Sequence, residues 1–352
     1  MAAYTTIDKP SDYFNTVLWT GNDTDNRIIS GVGFSPNWVW IKARNNADAH
    51  YLVDTVRGST KVIFSDSSSA EDTRVSAVKS FYQEGYILGQ EAQVNRNGGT
   101  FVSWNWLAAN GTASNSNGNI TSTVSASATA GFSIVKWTGN NSGSATVGHG
   151  LGTIPNVVII KKLDGTSNWG FKHSSFASGA MAPFNTVDAP SNRNGSTNGG
   201  IGNLTSSSTF GFIAGGAGTP SENNGSMIAY CFSERKGYSK FSSYVGNGST
   251  DGPFIQTGFK PAYVLVKAMS GSASYTVLDN KRNPFNPMGK GLFPDSSQAE
   301  YDYTNRRDYY SNGFKIRNTS SAENSSGTSY AYMAFAENPF VTGSSAIPTT
   351  AR

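Results

Sequence analysis

The sequence is poor in charge: only 14% of its 352 residues are Asp, Glu, Lys or Arg, whereas an average soluble domain carries about 25%. The net charge of +4 is not gathered into a basic block, so the footprint of a dedicated nucleic-acid-binding protein is missing. Nor does any stretch approach the roughly 18 to 20 apolar residues that span a bilayer. We expect a soluble protein without nucleic acid, membrane insertion or the usual secretion signal.

Cysteine and histidine are also scarce. The single cysteine, Cys231, excludes an intrachain disulfide, and its apolar neighbours predict a buried side chain. No histidine stands at a metal-binding spacing from a cysteine, an acid or another histidine; the three are His50, His149 and His173. We expect no transition metal and no cofactor. Calcium at the acidic cluster 22–26 stays open, although Asx turns are the favoured use of these residues.

Instead, the chain is rich in glycine, aromatic residues and short Ser/Thr/Asn runs, and it resembles itself at a period of about 110 residues. In each of three copies a proline is followed six residues later by a lysine, at 36–42, 155–161 and 261–267. Because proline cannot donate into a ladder, it marks strand entry, and the mostly apolar residues that follow predict a strand buried on both faces. The terminal lysines are expected to snorkel to the rim.

Each copy closes on an aromatic-rich strand, at 98–106, 224–232 and 327–335. Six such landmarks recur in one order, which predicts an all-β protein of three tandem homologous units. Each unit is expected to be an antiparallel β-sandwich or jelly-roll-like fold. The strand order within a unit does not follow from the sequence.

The copies and the segments between them predict the domain organisation. The Ser/Asn/Gly-rich connection is expected to be extended or flexible, and the short connection after unit 2 forces units 2 and 3 into contact. Residues 185–208 are expected to form a long exposed loop. The predicted boundaries are an N-terminal arm at 1–13, unit 1 at 14–107, the linker at 108–130, unit 2 at 131–234, unit 3 at 237–340 and a C-terminal tail at 341–352.

Two acids recur at equivalent strand ends, each three residues before an arginine. The pairs are Asp54 with Arg57 and Asp279 with Arg282, and this spacing favours structural ion pairs that fix the strand exits. A glycan-cleaving enzyme would need two carboxylates about 5 to 10 Å apart, and the sequence offers no partner acid. We therefore expect no catalytic site.

One segment has the composition of a binding surface. Residues 301–310, "YDYTNRRDYY", are expected to form a loop of unit 3 that has no counterpart in the other copies. Tyrosine and arginine are favoured at interfaces. A host contact and a subunit contact stay equally open for the candidate residues, which are Tyr301, Tyr303, Arg306, Arg307, Tyr309 and Tyr310.

A family resemblance rests on four segments of the sequence: "TIDKPSDYFNTVLWTGN", "GGTFVSWNWLA", "GYSKFSSYVGNGSTDGPFIQTGFKPAYVLVK" and "YAYMAFAENPF". Together they resemble uncharacterised three-repeat β proteins of tailed bacteriophages, especially marine and cyanobacterial ones, over nearly the whole chain. Members are usually described as tail-fibre or other virion structural proteins. The resemblance implies a location on the virion surface, other virion proteins as partners and a homo-oligomer, with a trimer favoured.

The leading hypothesis is a non-enzymatic tail-fibre or receptor-binding module that contacts host-surface glycans. The absence of a long coiled-coil or β-helical shaft favours a compact module over a complete fibre. The alternative is a capsid decoration or head-fibre protein. A polysaccharide depolymerase is the remote alternative, because the carboxylate pair it would need is missing.

Overall fold

A computed structural model describes residues 4–193, 200–213, 220–343 and 348. Parts of four predicted segments lie outside these residues: 1–3 of the arm, 194–199 of the loop at 185–208, 214–219 of unit 2, and most of the tail at 341–352. Apart from a 3₁₀ turn at Pro10–Asp12 and helix α1 at Ala92–Asn95, the regular structure is strand. The all-β expectation is confirmed. In the part of the chain described, no helix is long and apolar enough to cross a membrane.

Unit 1 contributes the first nine strands: β1 Phe14–Thr20, β2 Arg27–Ile29, β3 Trp38–Ala43, β4 Tyr51–Asp54, β5 Gly58–Ile63, β6 Asp72–Thr73, β7 Val78–Tyr82, β8 Gly85–Leu88 and β9 Thr100–Trp106. The linker and unit 2 contribute β10 Ala113–Asn115, β11 Ser122–Ser127, β12 Phe132–Thr138, β13 Thr146–Gly148, β14 Val157–Lys162, β15 Gly170–His173, β16 Ala180–Pro183, β17 Ser191–Asn192, β18 Thr209–Gly211 and β19 Ser226–Phe232. Unit 3 contributes β20 Ser239–Val245, β21 Phe254–Gln256, β22 Phe259–Ala268, β23 Thr276–Asp279, β24 Met288–Gly291, β25 Tyr301–Tyr310, β26 Gly313–Ile316 and β27 Ser329–Pro339.

One strand order occurs in all three units. The inner sheets contain the runs β1-β9-β3-β4, β12-β19-β14-β15 and β20-β27-β22-β23, so the first strand always pairs with the last. The outer sheets are β2-β8-β7, β13-β18 and β21-β26-β25-β24. These strand pairs are antiparallel. Common ancestry of the units stays a prediction from the sequence.

Both faces of the central strand of each inner sheet are buried. In β3, Val39 and Ile41 pack into the sandwich core of unit 1, because alternate side chains point to opposite faces. Trp38 and Trp40 point the other way, into a core cluster shared by all three units. The prediction of strands buried on both faces after each proline is confirmed for β3, β14 and β22.

The shared core surrounds an axis of approximate threefold symmetry. The residues Trp106, Phe232 and Phe335 occupy the same register position in β9, β19 and β27. Their ring centroids lie 6.3, 5.7 and 5.8 Å apart, so every ring meets the other two. Mutual contact between three equivalent side chains requires the three inner sheets to face one another around a common line.

The boundaries between units, here called seams 1/2, 2/3 and 3/1, repeat one hydrogen bond. The donor is the side chain that stands four residues before the last residue of β4, β15 or β23. The acceptor is a backbone carbonyl of the preceding unit, and unit 3 counts as the unit that precedes unit 1. The pairs are Trp169 Nε1 to Phe64 O at 2.9 Å, Tyr275 OH to Pro183 O at 3.0 Å and His50 Nε2 to Phe293 O at 2.9 Å. The three bonds close the chain into a ring.

The predicted N-terminal arm is part of the folded body from its first described residues. The Tyr4 hydroxyl donates to Gly258 O at 2.7 Å, and the Thr5 hydroxyl donates to Lys236 O at 2.7 Å. Ile7 is buried in the shared core. The interpretation of residues 4–13 as an arm apart from the core is therefore wrong, because Ile7 adds its apolar side chain to the shared cluster.

The linker at 108–130 is extended, which is one of the two predicted alternatives, and part of it is strand. Its strand β11 pairs with β12 and extends the inner sheet of unit 2. The side chains of Val124 and Ser125 are buried, and the Ser125 hydroxyl donates to Ala109 O at 2.9 Å. Small alternating side chains therefore let the segment lie flat as a strand, whereas composition alone left a flexible connection open as well.

The three strand-end lysines do not snorkel, and all three are buried. Each ammonium donates to backbone carbonyls inside the protein: Lys42 to Ala43 O and Asn46 O, Lys161 to Lys162 O and Ser68 O, and Lys267 to Ala273 O and Val187 O. Burial lowers the pKa of each lysine to about 8. The neighbouring unit covers these positions, and a single copy of the sequence does not reveal that cover.

Candidate functional site

The tyrosine and arginine segment is strand β25 and not a loop. It pairs with β24 on one side and β26 on the other. Its alternation places part of the segment inside the protein, where Arg306, Arg307 and Tyr309 are buried. The expectation that these three residues contact a host or a second subunit is therefore wrong.

The two buried arginines share one acid. Glu323 accepts from Arg306 at 2.9 Å and from Arg307 at 2.7 Å. Arg307 also donates to Val264 O at 2.7 Å, which ties the outer sheet to the inner one. Burial alone would raise the pKa of Glu323, but the two guanidinium groups lower it to about 2. This cluster holds the sandwich of unit 3 together.

The first part of β25 stays at the surface. Tyr301 is 49% exposed, and its ring centroid lies 4.4 Å from that of Tyr303. Phe293 meets Tyr303 edge-on at 6.2 Å, and the guanidinium of Arg306 lies 4.0 Å over the Tyr303 ring. We call these four residues the tyrosine platform.

The remaining candidate, Tyr310, lies at the far end of the strand. Its hydroxyl donates to Asp308 at 3.2 Å, and its ring meets Phe254 at 5.9 Å. Of the predicted site residues at the surface, Tyr301 and Tyr303 therefore lie together in the platform, whereas Tyr310 lies outside it.

The platform adjoins a rigid part of seam 3/1. Glu300, which precedes the platform in sequence, accepts from Arg44 of unit 1 at 2.9 and 2.8 Å in a bidentate pair. The backbone N–H of Glu300 also donates to Arg44 O at 2.7 Å. Bidentate pairs fix geometry as well as charge, so the start of β25 is anchored to two units at once.

The two recurring aspartates hold the seams. Arg57 donates to Asp54, and Arg282 Nε donates to Asp279 Oδ2 at 2.6 Å, with all four side chains buried. The Tyr230 hydroxyl of unit 2 donates to Asp54 at 2.8 Å. These carboxylates face the interior of the ring, where a glycan does not reach.

In unit 2 the equivalent position is His173. Ser175 N donates to its Nδ1 at 3.0 Å, so the neutral ring donates from Nε2 to Tyr332 O of unit 3 at 3.2 Å. Burial lowers the pKa of His173 to about 4. Its partner is about 160 residues away in sequence, so inspection of local spacing missed this contact.

An open cleft of about 420 Å³ is lined by residues of unit 3, and a smaller cleft of about 90 Å³, which residues of β1 also line, continues it into seam 3/1. Phe285 at the mouth of the open cleft is 76% exposed. Glu337 lies between Lys260 at 3.5 Å and Asn280 at 2.8 Å. The segment around Phe285, "NPFNP", matches nothing in the other copies, and that departure is the signal that could have found the cleft.

Within the described ranges, no three His, Cys, Asp or Glu side chains lie close enough together to hold a metal ion. A family model described as "Domain of unknown function (DUF7483)" matches residues 9–339. Comparison with curated proteins and with solved structures gives no match.

Proposed function

The chain belongs to the DUF7483 family, whose description assigns no activity, and we propose from the molecule's own surface that it is a non-enzymatic glycan-binding protein. The binding site is the tyrosine platform. The resemblance to phage proteins adds the setting: a tail-fibre or receptor-binding module on the surface of a tailed bacteriophage, which contacts a host-surface glycan.

The pair of Tyr301 and Tyr303 carries the proposal. A sugar ring has an apolar C–H face and a rim of hydroxyl groups, and tyrosine offers a flat apolar face beside a group that both donates and accepts. The two rings lie side by side at 4.4 Å on one strand. The guanidinium of Arg306 lies over the Tyr303 ring and supports it from the protein side, while Arg306 itself stays buried in its ion pair with Glu323.

The scaffold suits a binding role. Loops usually carry recognition residues, but here the tyrosines stand on a strand anchored by Arg44 and Glu300 across seam 3/1. An ordered platform loses little conformational entropy when it binds. Other virion proteins, and further copies in a homotrimer, complete the proposed set of partners.

The test is a glycan array and a host-cell adsorption assay with the purified full chain. We expect Tyr301→Ala and Tyr303→Ala each to weaken binding about tenfold or more, because each change removes a ring that contacts the sugar. A tenfold loss of affinity corresponds to about 1.4 kcal/mol. Phe254→Ala removes an aromatic that is 46% exposed on the same outer sheet and should leave binding unchanged. Absence of binding by the wild-type protein would overturn the proposal.

Immunogold labelling of phage particles tests the setting. Label on the tail supports the receptor-binding module, whereas label on the head favours the capsid decoration or head-fibre alternative. Release of reducing sugars from host polysaccharide by the purified protein would instead support the depolymerase.

A further inference from the structure

Strand β1 is an open edge of the inner sheet of unit 1. It pairs with β9 alone among the described strands. Leu107 N donates to Tyr13 O and Gly21 N donates to Gly99 O, so the odd-numbered residues of β1 face β9. Because antiparallel strands alternate in this way, the outward backbone groups belong to Phe14, Thr16, Leu18 and Thr20.

The equivalent edge in unit 2 is covered. Phe14 pairs with Trp106 and Phe132 pairs with Phe232, so β1 and β12 occupy the same place in their sheets. Strand β11 lies antiparallel along the outer side of β12, from Ser127 opposite Phe132 to Thr123 opposite Lys136. The molecule therefore already contains one strand seated on this type of edge.

The cleft at seam 3/1 is the counterpart of the space that β11 fills at seam 1/2. Val56 stands two residues after Asp54 and lines a surface pocket together with residues 121–123 of the β11 segment. Lys281 stands two residues after Asp279 and lines the smaller cleft, of about 90 Å³, together with Phe14 and Thr16 of β1. At equivalent places, strand β11 covers the outer edge of β12, whereas no strand in the described ranges covers the outer edge of β1.

The course of the preceding chain explains the difference. Before β12 the chain turns back, with Gly131 N donating to Ser127 O and with Gly131 at φ +65°, a conformation that glycine adopts without strain. Before β1 the chain instead crosses to unit 3, where the Tyr4 hydroxyl donates to Gly258 O. Residues 4–13 are thus engaged elsewhere and do not supply a covering strand.

The edge also lacks the usual protection. Strand β1, "FNTVLWT", contains no charged residue, and Leu18 is exposed. Proteins commonly block such edges with lysine, proline, a bulge or a covering segment. The outward N–H of Thr16 donates to Asn15 Oδ1 at 3.0 Å, and no described strand pairs with this edge. An uncharged edge of this kind beside a cleft can take up an extended peptide by β-strand addition.

We infer that β1 is a strand-acceptor site that takes an extended segment of another protein chain. The segment lies antiparallel to β1 in the cleft at seam 3/1 and carries small and β-branched side chains, as β11 does with "STVSAS". This contact attaches the protein to an assembly partner. It is separate from the tyrosine platform and does not depend on glycan binding.

The probe is a synthetic peptide with the sequence of residues 119–130, "NITSTVSASATA", added in excess to the full chain. Amide hydrogen exchange should slow at least tenfold at Leu18 and Thr20 on addition of the peptide. A peptide N-methylated at alternate residues along one edge, which removes the backbone donors of that edge, should give no slowing.

Leu18→Pro removes one outward donor without touching the ladder between β1 and β9, since proline is tolerated on the free side of an edge strand. It should abolish peptide binding and leave glycan binding unchanged. Ser243→Pro changes the equivalent outward position of β20 and serves as the matched control that keeps binding. If Leu18→Pro does not fold, Leu18→Lys blocks the same edge with a charge.

Three results would overturn the inference. The peptide could protect the amides of β20 in place of those of β1, or the amides of Leu18 and Thr20 could already exchange slowly before any peptide is added. The third result is no binding at 1 mM peptide, a concentration that corresponds to a binding free energy of roughly 4 kcal/mol. Each result leaves the glycan proposal standing, because the platform variants report on it independently.

Discussion

Trp104 donates its indole Nε1–H to Oδ2 of Asp279 at 3.0 Å, across the seam between units 1 and 3. Both side chains are fully buried. Tyr230 makes the corresponding bond to Asp54 at seam 1/2. The carboxylate at the end of an inner strand is thus bound by the last strand of the next unit around the ring, which makes the ion pair of one unit part of a joint between two.

The first prediction compares Trp104→Phe with Trp106→Phe. Both changes remove a similar volume from the shared core, but Trp104 loses its bond to Asp279, whereas Trp106 Nε1 has no partner among the described residues. Removal of one partner of a buried hydrogen bond costs about 1 to 3 kcal/mol. We expect Trp104→Phe to lower the free energy of unfolding by that much more than Trp106→Phe in denaturant titrations. Equal losses would contradict the assigned bond.

The second prediction concerns the ion pair at seam 1/2. Asp54→Asn removes the charge that faces the buried Arg57, and breaking a buried pair in this way costs about 3 to 5 kcal/mol. Asp12→Asn breaks an exposed pair with Lys9 and should cost no more than about 1 kcal/mol. Urea unfolding of both variants measures the difference. A loss for Asp54→Asn as small as that for Asp12→Asn would show that the aspartate is dispensable to the seam.

The sequence predicted several features that depend on one unit alone. Strands after Pro36, Pro155 and Pro261 were predictable because proline and an apolar run act locally. The spacing of Asp54 and Arg57 likewise brought two residues together that meet in the structure. Local chemistry sufficed in these places.

Features that depend on the ring were not predictable. The cross-seam hydrogen bond is donated by an imidazole, an indole and a phenol group at three equivalent positions, His50, Trp169 and Tyr275. Because the residue type differs in each copy, no shared motif reveals the bond. Lys161 was predicted to extend to the rim of its sheet, because the sequence of unit 2 does not show that its ammonium donates to Ser68 O of unit 1. Strand β25 was missed for another reason, since it depends on unit 3 alone: Glu323, which binds its two buried arginines, lies outside the segment, so the segment was interpreted as a polar loop.

The third prediction follows from the buried lysines. The pKa of Lys161 is about 8 in the folded protein, lowered by burial from an ordinary value of 10.5. Between these values the unfolded chain binds more protons, so stability rises with pH through this window. The rise is up to about 1.4 kcal/mol per pH unit for each lysine.

The test of the third prediction compares wild type with Lys161→Met in urea unfolding from pH 7.5 to 9.5. The variant should show a smaller rise in stability with pH. Buried tyrosines and Cys231, whose pKa values burial raises, affect both proteins alike and cancel in the difference. Parallel curves would show that Lys161 does not titrate in this range.

The fourth prediction concerns unit 3 expressed alone as residues 237–340. Its own sandwich core, which includes Val264 and Phe314, is complete. Its inner face, which includes Tyr263 and Phe335, normally packs against the other units and would be exposed. Large exposed apolar patches drive association, so we expect the fragment to bind hydrophobic dyes, to associate as its concentration rises and to melt below the full chain.

The control for the fourth prediction is the full chain cleaved once at a protease site inserted after Gly111. Its pieces should stay together in gel filtration, because the seam bonds do not depend on chain continuity at that point. A fragment 237–340 that is a monomer with the melting temperature of the full chain would show that the units are independent domains. In the opposite result, the two pieces of the cleaved chain elute together, while fragment 237–340 associates and melts below the full chain. This result would show that the stability of the fold depends on the ring of three units rather than on any one unit.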